Sequence, residues 1–516
     1  MSAPAVGPGS SGSPLLLGID VGTTGAKAVL LDSAGQVAAV ATTEYPLLTP
    51  RPGWTEQDPT TWWEAAVTSI RRVLNEVRVR ERHIAAVGLT GQMHGLVPLD
   101  GGGSVLRPAI LWNDQRTAEE CAWITKRVGA ERVIELTGNP VLTGFTAPKI
   151  VWMRRHEPDL YARIAHILLP KDYVRYCLTG KHAVDAADAS GTSLFDVRGR
   201  RWSATMLAAL EIPPSWLPRV VESPELTGVV SALAARLTGL NEGTPVVGGA
   251  GDQAAQAVGT GIVRTGLVSA TIGTSGVVFA HLDQPAVDLQ GRLHSFCHAV
   301  PSRWHVMGVM LSAGGALRWL RDGLRHDAWF KGGDPYDAMS AEAAEVSPGC
   351  EGLVFLPYLT GERTPHADPR ARGAFVGLTL RHHRGHLIRA VMEGVALGLR
   401  DSLELIRGMG LPVTEIRVSG GGARSPLWRH ILADVFRADV ATVTTTEGAA
   451  YGAALLAGVG RGIFPSVEVA CETTVAVVDR AAPDRERAAV YDKLYTVYRD
   501  LYLALRPSMH ALSTMA

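Results

Sequence analysis

Short apolar runs alternate along the chain with longer stretches in which apolar positions recur every three or four residues, a pattern that predicts a mixed α/β protein. Leu15 to Ile19 reads as a strand, followed by the Gly-rich turn Gly22-Thr23-Thr24-Gly25 and a second strand at Val29 to Leu31. The chain returns so quickly that these two strands should form an antiparallel hairpin. Gln36 to Ala41 is the expected third strand. Trp62 to Val77 has helical spacing, and Ile84 to Leu89 is again a strand.

The same opening recurs 251 positions downstream (Gly273 against Gly22): a strand at Leu267 to Ile272, the turn Gly273-Thr274-Ser275-Gly276, and a strand at Val277 to Ala280. A strand–turn–strand unit at the head of each half predicts two related domains. The 516 residues exceed the size at which a single core stops growing, which agrees. The expected division is a flexible tail over 1–13, an N-terminal domain over 14–262 and a C-terminal domain over 263–505. The boundary falls near Val263, after the helix that follows Asp252. A cleft between the halves is the expected ligand site.

Composition narrows the class. The formal net charge is zero and there is no long basic stripe, so nucleic acid and acidic membrane surfaces are excluded as expected partners. The basic stretch from Arg71 to Arg82 is interleaved with Val73, Leu74 and Val77 and reads as the solvated face of a helix. Five cysteines are widely spaced, with no C-x-x-C pair. They imply neither a zinc site nor a disulfide framework, but buried free thiols in a reducing compartment. The first fourteen residues are rich in Gly, Ser, Pro and Ala, without a basic start or an apolar core, so no signal peptide is expected. No apolar run approaches the roughly 18 residues needed to cross a bilayer. The expectation is a soluble cytoplasmic protein.

Four segments carry candidate chemistry. In Gly18-Ile19-Asp20-Val21-Gly22-Thr23-Thr24-Gly25-Ala26-Lys27, the glycines permit close approach of backbone to a ligand. The N–H groups and the hydroxyls of Thr23 and Thr24 offer donors to phosphate, and Lys27 adds positive charge. Asp20, at a strand end, is placed to hold magnesium directly or through water. The bland alternative is a plain hairpin turn. In Gly248-Gly249-Ala250-Gly251-Asp252-Gln253, Asp252 falls at a helix start, where a carboxylate is stabilised and stays ionised. The alternative there is a simple N-cap. Gly249-x-Gly251-x-x-Ala254 also fits a relaxed dinucleotide fingerprint. That fingerprint needs an acidic residue about 20 positions on, and no Asp or Glu occurs between Asp252 and Asp283.

Ser419-Gly420-Gly421-Gly422-Ala423-Arg424-Ser425 joins a strand at Glu415 to Val418 to a helix, and its three glycines leave a flat surface for an adenine or ribose. Gly91-Gln92-Met93-His94-Gly95 and Trp112-Asn113-Asp114-Gln115-Arg116 place polar groups at strand ends, where they could bind a sugar. No P-loop occurs, since the only Gly-Lys pair, Gly180-Lys181, is followed by His182.

These segments resemble the FGGY carbohydrate kinases, over nearly the whole chain from about Leu15 to beyond Gly452. One family signature is readable at Gly144-Phe145-Thr146-Ala147-Pro148-Lys149-Ile150-Val151-Trp152. Another runs from Gly373-Ala374-Phe375-Val376-Gly377-Leu378 through His386-Leu387 to Ala390-Val391-Met392-Glu393. Segments typical of the xylulose-specific branch include Leu169-Pro170-Lys171-Asp172-Tyr173, His294-Ser295-Phe296-Cys297-His298 and Gly361-Glu362-Arg363-Thr364-Pro365-His366.

The resemblance implies two actin-like domains of the ribonuclease-H type with an interdomain ATP and sugar cleft. It implies MgATP-dependent phosphorylation of a small ketose, D-xylulose first. Asp252 would be the catalytic base and Asp20 the second essential carboxylate. Gln92, Met93, His94, Trp112, Asp252 and Gln253 would line the sugar site. Thr23, Thr24, Lys27, Gly273, Thr274, Gly314, Gly421, Gly422 and Ala423 would hold ATP. By the same analogy a homodimer is expected. Gln253 departs from the Asn common among xylulose kinases, which leaves related kinases for ribulose, a pentitol, gluconate or glycerol as alternatives. Actin-like clefts also drive filaments and chaperones, and the polar sugar-site segments argue against such an ATP-driven binding protein. An ordinary Asp pKa of about 3.9 suffices for the base, because phosphoryl transfer needs little prior activation of its nucleophile. Closure of the cleft on the sugar is expected to exclude water.

Overall fold

The computed structural model describes residues 14–77, 84–324, 329 and 333–515. The expected tail and the part of the basic stretch beyond Val77 lie outside the described residues. Two seven-stranded mixed sheets organise the rest. The first contains β1 (Leu15–Val21), β2 (Gly25–Leu31), β3 (Val37–Glu44), β4 (Ile84–Gly91), β5 (Leu226–Val229), β6 (Pro245–Val247) and β7 (Ala250–Gly251). Its order is β5-β6-β4-β1-β2-β3, with β7 beside β4. The second contains β8 (Gly266–Ile272), β9 (Gly276–Leu282), β10 (His294–Cys297), β11 (Trp304–Met310), β12 (Val413–Ser419), β13 (Val440–Val443) and β14 (Val477–Ala481), in the order β10-β11-β9-β8-β12-β13-β14.

The two sheets share one plan. In each, the opening hairpin is antiparallel and its first strand pairs in parallel with a strand arriving after a long crossover: β1 with β4, and β8 with β12. β1 and β4 are buried almost throughout, because both faces of their sheet are covered. On one face lies α1 (Pro59–Glu76), which starts with Pro59 at its first turn and with the Asp58 side chain accepting from the Thr60 N–H. It buries Trp62, Ala66, Ile70 and Val73.

On the other face lie α4 (Asp252–Gly259) and α9 (Gly448–Gly460); between them in the chain come α5 (Gly314–Leu324), α7 (Arg384–Gly408) and α8 (Pro426–Phe436), and earlier α2 (Thr146–His156) and α3 (Pro170–Thr179), with α6 at Pro335–Ala344. α9 follows β13 of the second sheet yet packs against β1 and β4 of the first. A Cβ added at Gly452 would sit 1.9 Å from the Ala255 carbonyl oxygen, so only glycine lets α9 lie this close to α4. The segment Gly448 to Gly452 is therefore the packing seam that fixes the helix carrying Asp252. The last helix, α10 (Arg485–Ser513), runs across Pro507 and past the expected end of the C-terminal domain at 505.

Candidate active site

Asp20, one residue before the end of β1, is in register with Thr90 on β4. Both are polar groups inside an apolar sheet, and both are unsatisfied: Asp20 Oδ1 and Thr90 Oγ1 have no hydrogen-bond partner. Asp252 is the first residue of α4, with Gly251 as the cap, so it is not itself the cap. The expectation of an ordinary carboxylate pKa is not met. Burial first, and the nearby Asp20 charge second, push the Asp252 carboxyl up to about 7, against hydrogen bonds from the Gln253 side chain and backbone. Burial pushes Asp20 up to about 6, with Lys27 opposing. The helix start favours an ionised Asp252, but withdrawal from water and a second carboxyl outweigh it.

The loop after β4 supplies the next groups. His94 has a backbone φ of 70°, in the left-handed region that few non-glycine residues adopt. Two contacts hold it there. The buried Lys149 of α2 donates to the His94 carbonyl at 2.9 Å and to the Gly144 carbonyl at 2.7 Å. The imidazole stacks on Phe145 with centroids 4.5 Å apart. His94 Nδ1 lies 2.6 Å from the Gly191 carbonyl, which only accepts, so Nδ1 carries the proton and Nε2 is left as an acceptor. Burial keeps the ring neutral, its pKa down at about 3. Met93 packs under Asp252: a Cβ on Gly251 would lie 2.8 Å from Met93 Cγ.

Gln92 sits differently from the expected sugar contact. It is 2% exposed, and its amide is used within the protein. It donates to Gly22 O (3.2 Å) and Gln57 Oε1 (2.9 Å) and accepts from Thr23 Oγ1 (3.3 Å). Trp112, 37% exposed, donates from its indole N–H to Thr23 Oγ1 at 3.0 Å. Thr23 thus ties the Gly-rich turn to the Gln92 and Trp112 loops. Lys27 forms an ion pair at 2.8 Å with Glu447, the residue preceding α9. Thr24 is exposed at the tip of the turn.

The second half presents a cavity of about 320 Å³. The turn residues Gly273 and Thr274, the start of α5 at Gly314, and Gly421 and Gly422 all line it, together with Tyr336 and Trp428. The Gly314 and Gly315 N–H groups donate to the Gly273 and Thr274 carbonyls at 2.8 and 3.1 Å, which docks α5 against the turn. Ala423 lies behind the wall, in the apolar core. Thr23, Thr24 and Lys27 belong to the first half and are not among the cavity's lining residues. Two residues with roles here carried no assigned chemistry in the sequence: Lys149, whose signal was a lone cation in the otherwise apolar start of α2, and Gly191, which gave none.

The sequence matches the FGGY family of carbohydrate kinases, its N-terminal domain over residues 15–259 and its C-terminal domain over 268–461. The chain belongs to this family. It is 40% identical to a xylulose kinase of Escherichia coli (strain K12), over 96% of this chain and 100% of that one. It is 36% identical to a xylulose kinase of Bacillus subtilis (strain 168), over 94% and 96%. Among solved structures, a xylulose kinase from Rhodospirillum rubrum superposes with a TM-score of 0.89 at 35% identity, covering 96% of this chain and 100% of that one. Membership makes the chain a phosphotransferase that acts on an alcohol group of a carbohydrate, and the paired mixed sheets are the actin-like fold of such kinases. Two of the five free cysteines, Cys121 and Cys177, are only partly buried, so the expectation that all are buried is corrected. Among the described residues no helix is long and apolar enough to cross a membrane.

Proposed function

We propose that the protein transfers the γ-phosphoryl group of ATP to D-xylulose, giving D-xylulose 5-phosphate and ADP. The observation that carries this reading is the half-buried pair Asp20 and Asp252, next to the loop of Met93 and the neutral His94, with a nucleotide-sized cavity in the second half. Asp252 accepts the proton of the sugar's terminal hydroxyl as that oxygen bonds to the γ-phosphorus. The bond from the γ-phosphorus to the bridging oxygen breaks, and the electron pair leaves with ADP. A carboxylate with a pKa near 7 is a stronger base than an ordinary one and is still ionised in half or more of the molecules at neutral pH. His94 Nε2 accepts from a sugar hydroxyl, and Met93 and Gln253 fill the space around Asp252. The cavity behind Gly421 and Gly422 takes the adenosine, and the Gly-rich turns face the phosphates.

The donor set fits a magnesium ion. An unpartnered buried Asp20 oxygen and two carboxyls that repel one another are the arrangement a divalent cation relieves. No group of three or more ligating side chains occurs among the described residues, so Asp20 and Asp252 would hold the ion together with phosphate oxygens and water. The ion would neutralise charge on the phosphates. The cytoplasm, which supplies ATP and keeps thiols reduced, is the proposed location.

The test is ADP release with MgATP and a panel of D-xylulose, L- and D-ribulose, glycerol, gluconate, xylitol and D-arabinitol, plus a control without sugar. Strong turnover with D-xylulose alone is expected. Preference for another member keeps the kinase and moves the sugar, with Gln253 the first residue to exchange. ADP release independent of every sugar overturns the reading in favour of an ATP-driven binding protein.

A further inference from the structure

Buried arginines of this protein are matched to carboxylates. Arg116 pairs with Asp114, Arg175 with Asp172, and Arg389 with Glu393. The half-buried Arg363 differs from them. Its backbone is bonded, the N–H to Glu362 Oε1 at 2.7 Å and the carbonyl to the Ala367 N–H at 2.6 Å, but among the described residues its guanidinium has no ion pair or hydrogen bond. The adjacent Glu362 does not serve as a partner, because the same Oε1 is turned onto the backbone N–H of Leu311 at 3.0 Å. A half-buried guanidinium with five donors and no protein acceptor is free to donate to a ligand oxygen that enters beside it.

Its position is fixed by its neighbours. The Thr364 N–H donates to the Val309 carbonyl at 3.0 Å, and Thr364 Oγ1 accepts from the Val309 N–H at 3.0 Å and donates to the Arg292 carbonyl at 2.9 Å. Arg363 is thereby anchored at the end of β11. Two residues back on that strand, Met307 is in register with His294 and packs with Met93, Phe145 and Phe296, the apolar seam between the halves. Phe145 is the ring on which His94 stacks. The positive charge of Arg363 bears on both His94 and His294, which are held neutral mainly by burial. An unpaired cation of the second half thus faces the sugar loop of the first.

We propose that Arg363 is the second domain's contact to the sugar, its guanidinium donating hydrogen bonds to ketose oxygens on the side away from Asp252. This rests on the sugar site proposed around His94 and Asp252. The groups are complementary: His94 Nε2 and the carboxylates only accept, a ketone oxygen only accepts, and Arg363 supplies the missing donors. It also gives the sugar a grip on both halves, so that binding it favours the closed cleft. The guanidinium could instead meet the transferring phosphate, and the measurements below separate the two.

Arg363→Met keeps the length and apolar stem of the side chain and removes the donors. Losing hydrogen bonds from a charged donor raises the sugar KM by about 10- to 100-fold, while the ATP KM and the slow hydrolysis of ATP without sugar stay within about twofold. Guanidinium chloride at low millimolar concentration should restore part of the sugar affinity in Arg363→Met and none in wild type, a readout that a structural role would not move. Should Arg363→Met fold poorly, Arg363→Lys keeps the charge, and its sugar KM must still rise with an unchanged ATP KM. An unchanged sugar KM overturns the proposal. So does a rise confined to the ATP KM, which would assign the group to phosphate. If wild type prefers another sugar of the panel, D-xylulose is wrong and the same comparison is made with that sugar. If it turns over none, both readings fall.

Discussion

The two Gly-rich hairpins are built alike and equipped differently. In register with the repeat, Asp20 of β1 corresponds to Thr271 of β8, and Lys27 to Val278. The partner strands correspond as well, with Asp20 opposite Thr90 and Thr271 opposite Ser419. In the second copy the pair is content: Thr271 Oγ1 and Ser419 Oγ lie 3.0 Å apart, and Gln256 donates to Ser419 Oγ at 3.2 Å. In the first copy both members of the pair are buried without partners. One scaffold, used twice, therefore bears an unsatisfied carboxylate in one copy and satisfied hydroxyls in the other. The loops that follow divide in the same way. After β4 comes the strained His94, and after β12 comes a glycine surface lining a cavity. Unsatisfied and strained groups mark the reacting end, as expected where folding and function conflict.

The largest effect comes from removing Asp252, the carboxylate proposed as base beside the charged first copy. Asp252→Asn should lower kcat by about a thousandfold or more while ATP binding by calorimetry stays within about threefold. Retained turnover would show that Asp252 is not the base. Next is the cavity of the second copy. A Cβ at Gly421 meets nothing within 4 Å, so Gly421→Val folds normally and projects into the nucleotide space. It should raise the ATP KM by about tenfold or more and leave the sugar KM alone; equal effects on both would blur the division. Lys149→Met removes the charged donor to the His94 carbonyl, leaving the Thr146 hydroxyl at 3.1 Å, and should raise the sugar KM by several-fold, with the ATP KM unchanged.

The smallest effect is on stability. Asp20 and Asp252 bind protons more tightly folded than unfolded, since their pKa values rise from the ordinary value of 3.8 to about 6 and about 7. Their ionisation therefore opposes folding, so stability falls as pH rises from about 4 through about 7. Asp252→Asn should flatten part of that decline in Tm, and magnesium should raise Tm more at pH 8 than at pH 5. The opposite slope in the difference between variant and wild type would refute the burial of these charges.

Much of this was legible in the sequence because it rests on local rules. Apolar runs and Gly-rich turns gave both hairpins within a few residues, and the repeat at Gly22 and Gly273 gave the duplicated plan. Asp20 and Asp252 could be picked out because strand ends and helix starts expose a carboxylate to a ligand. What was not legible depends on segments distant in sequence. The raised Asp252 pKa requires Asp20, 232 positions earlier, and the packing of α9. Gln92 looked like a sugar ligand by its position, but Gln57 and the turn use its amide. Lys149 and Gly191 act only through the fold, by holding His94. Arg363 was visible as a motif letter, but its lack of a partner is a fact of three dimensions.

The most direct test of the half-buried carboxylate pair is the pH dependence of kcat/KM for D-xylulose at saturating MgATP, between about pH 5 and about pH 9. This quantity reports ionisation in the enzyme before the sugar binds. Because Asp252 must be ionised to accept the proton, kcat/KM should be level above about pH 8 and fall below about pH 7, approaching tenfold per pH unit. The bound nucleotide and metal would move the midpoint downward without removing the limb. A profile that stays flat to pH 5 in the absence of any such limb, with Asp252→Asn equally active, would contradict the account.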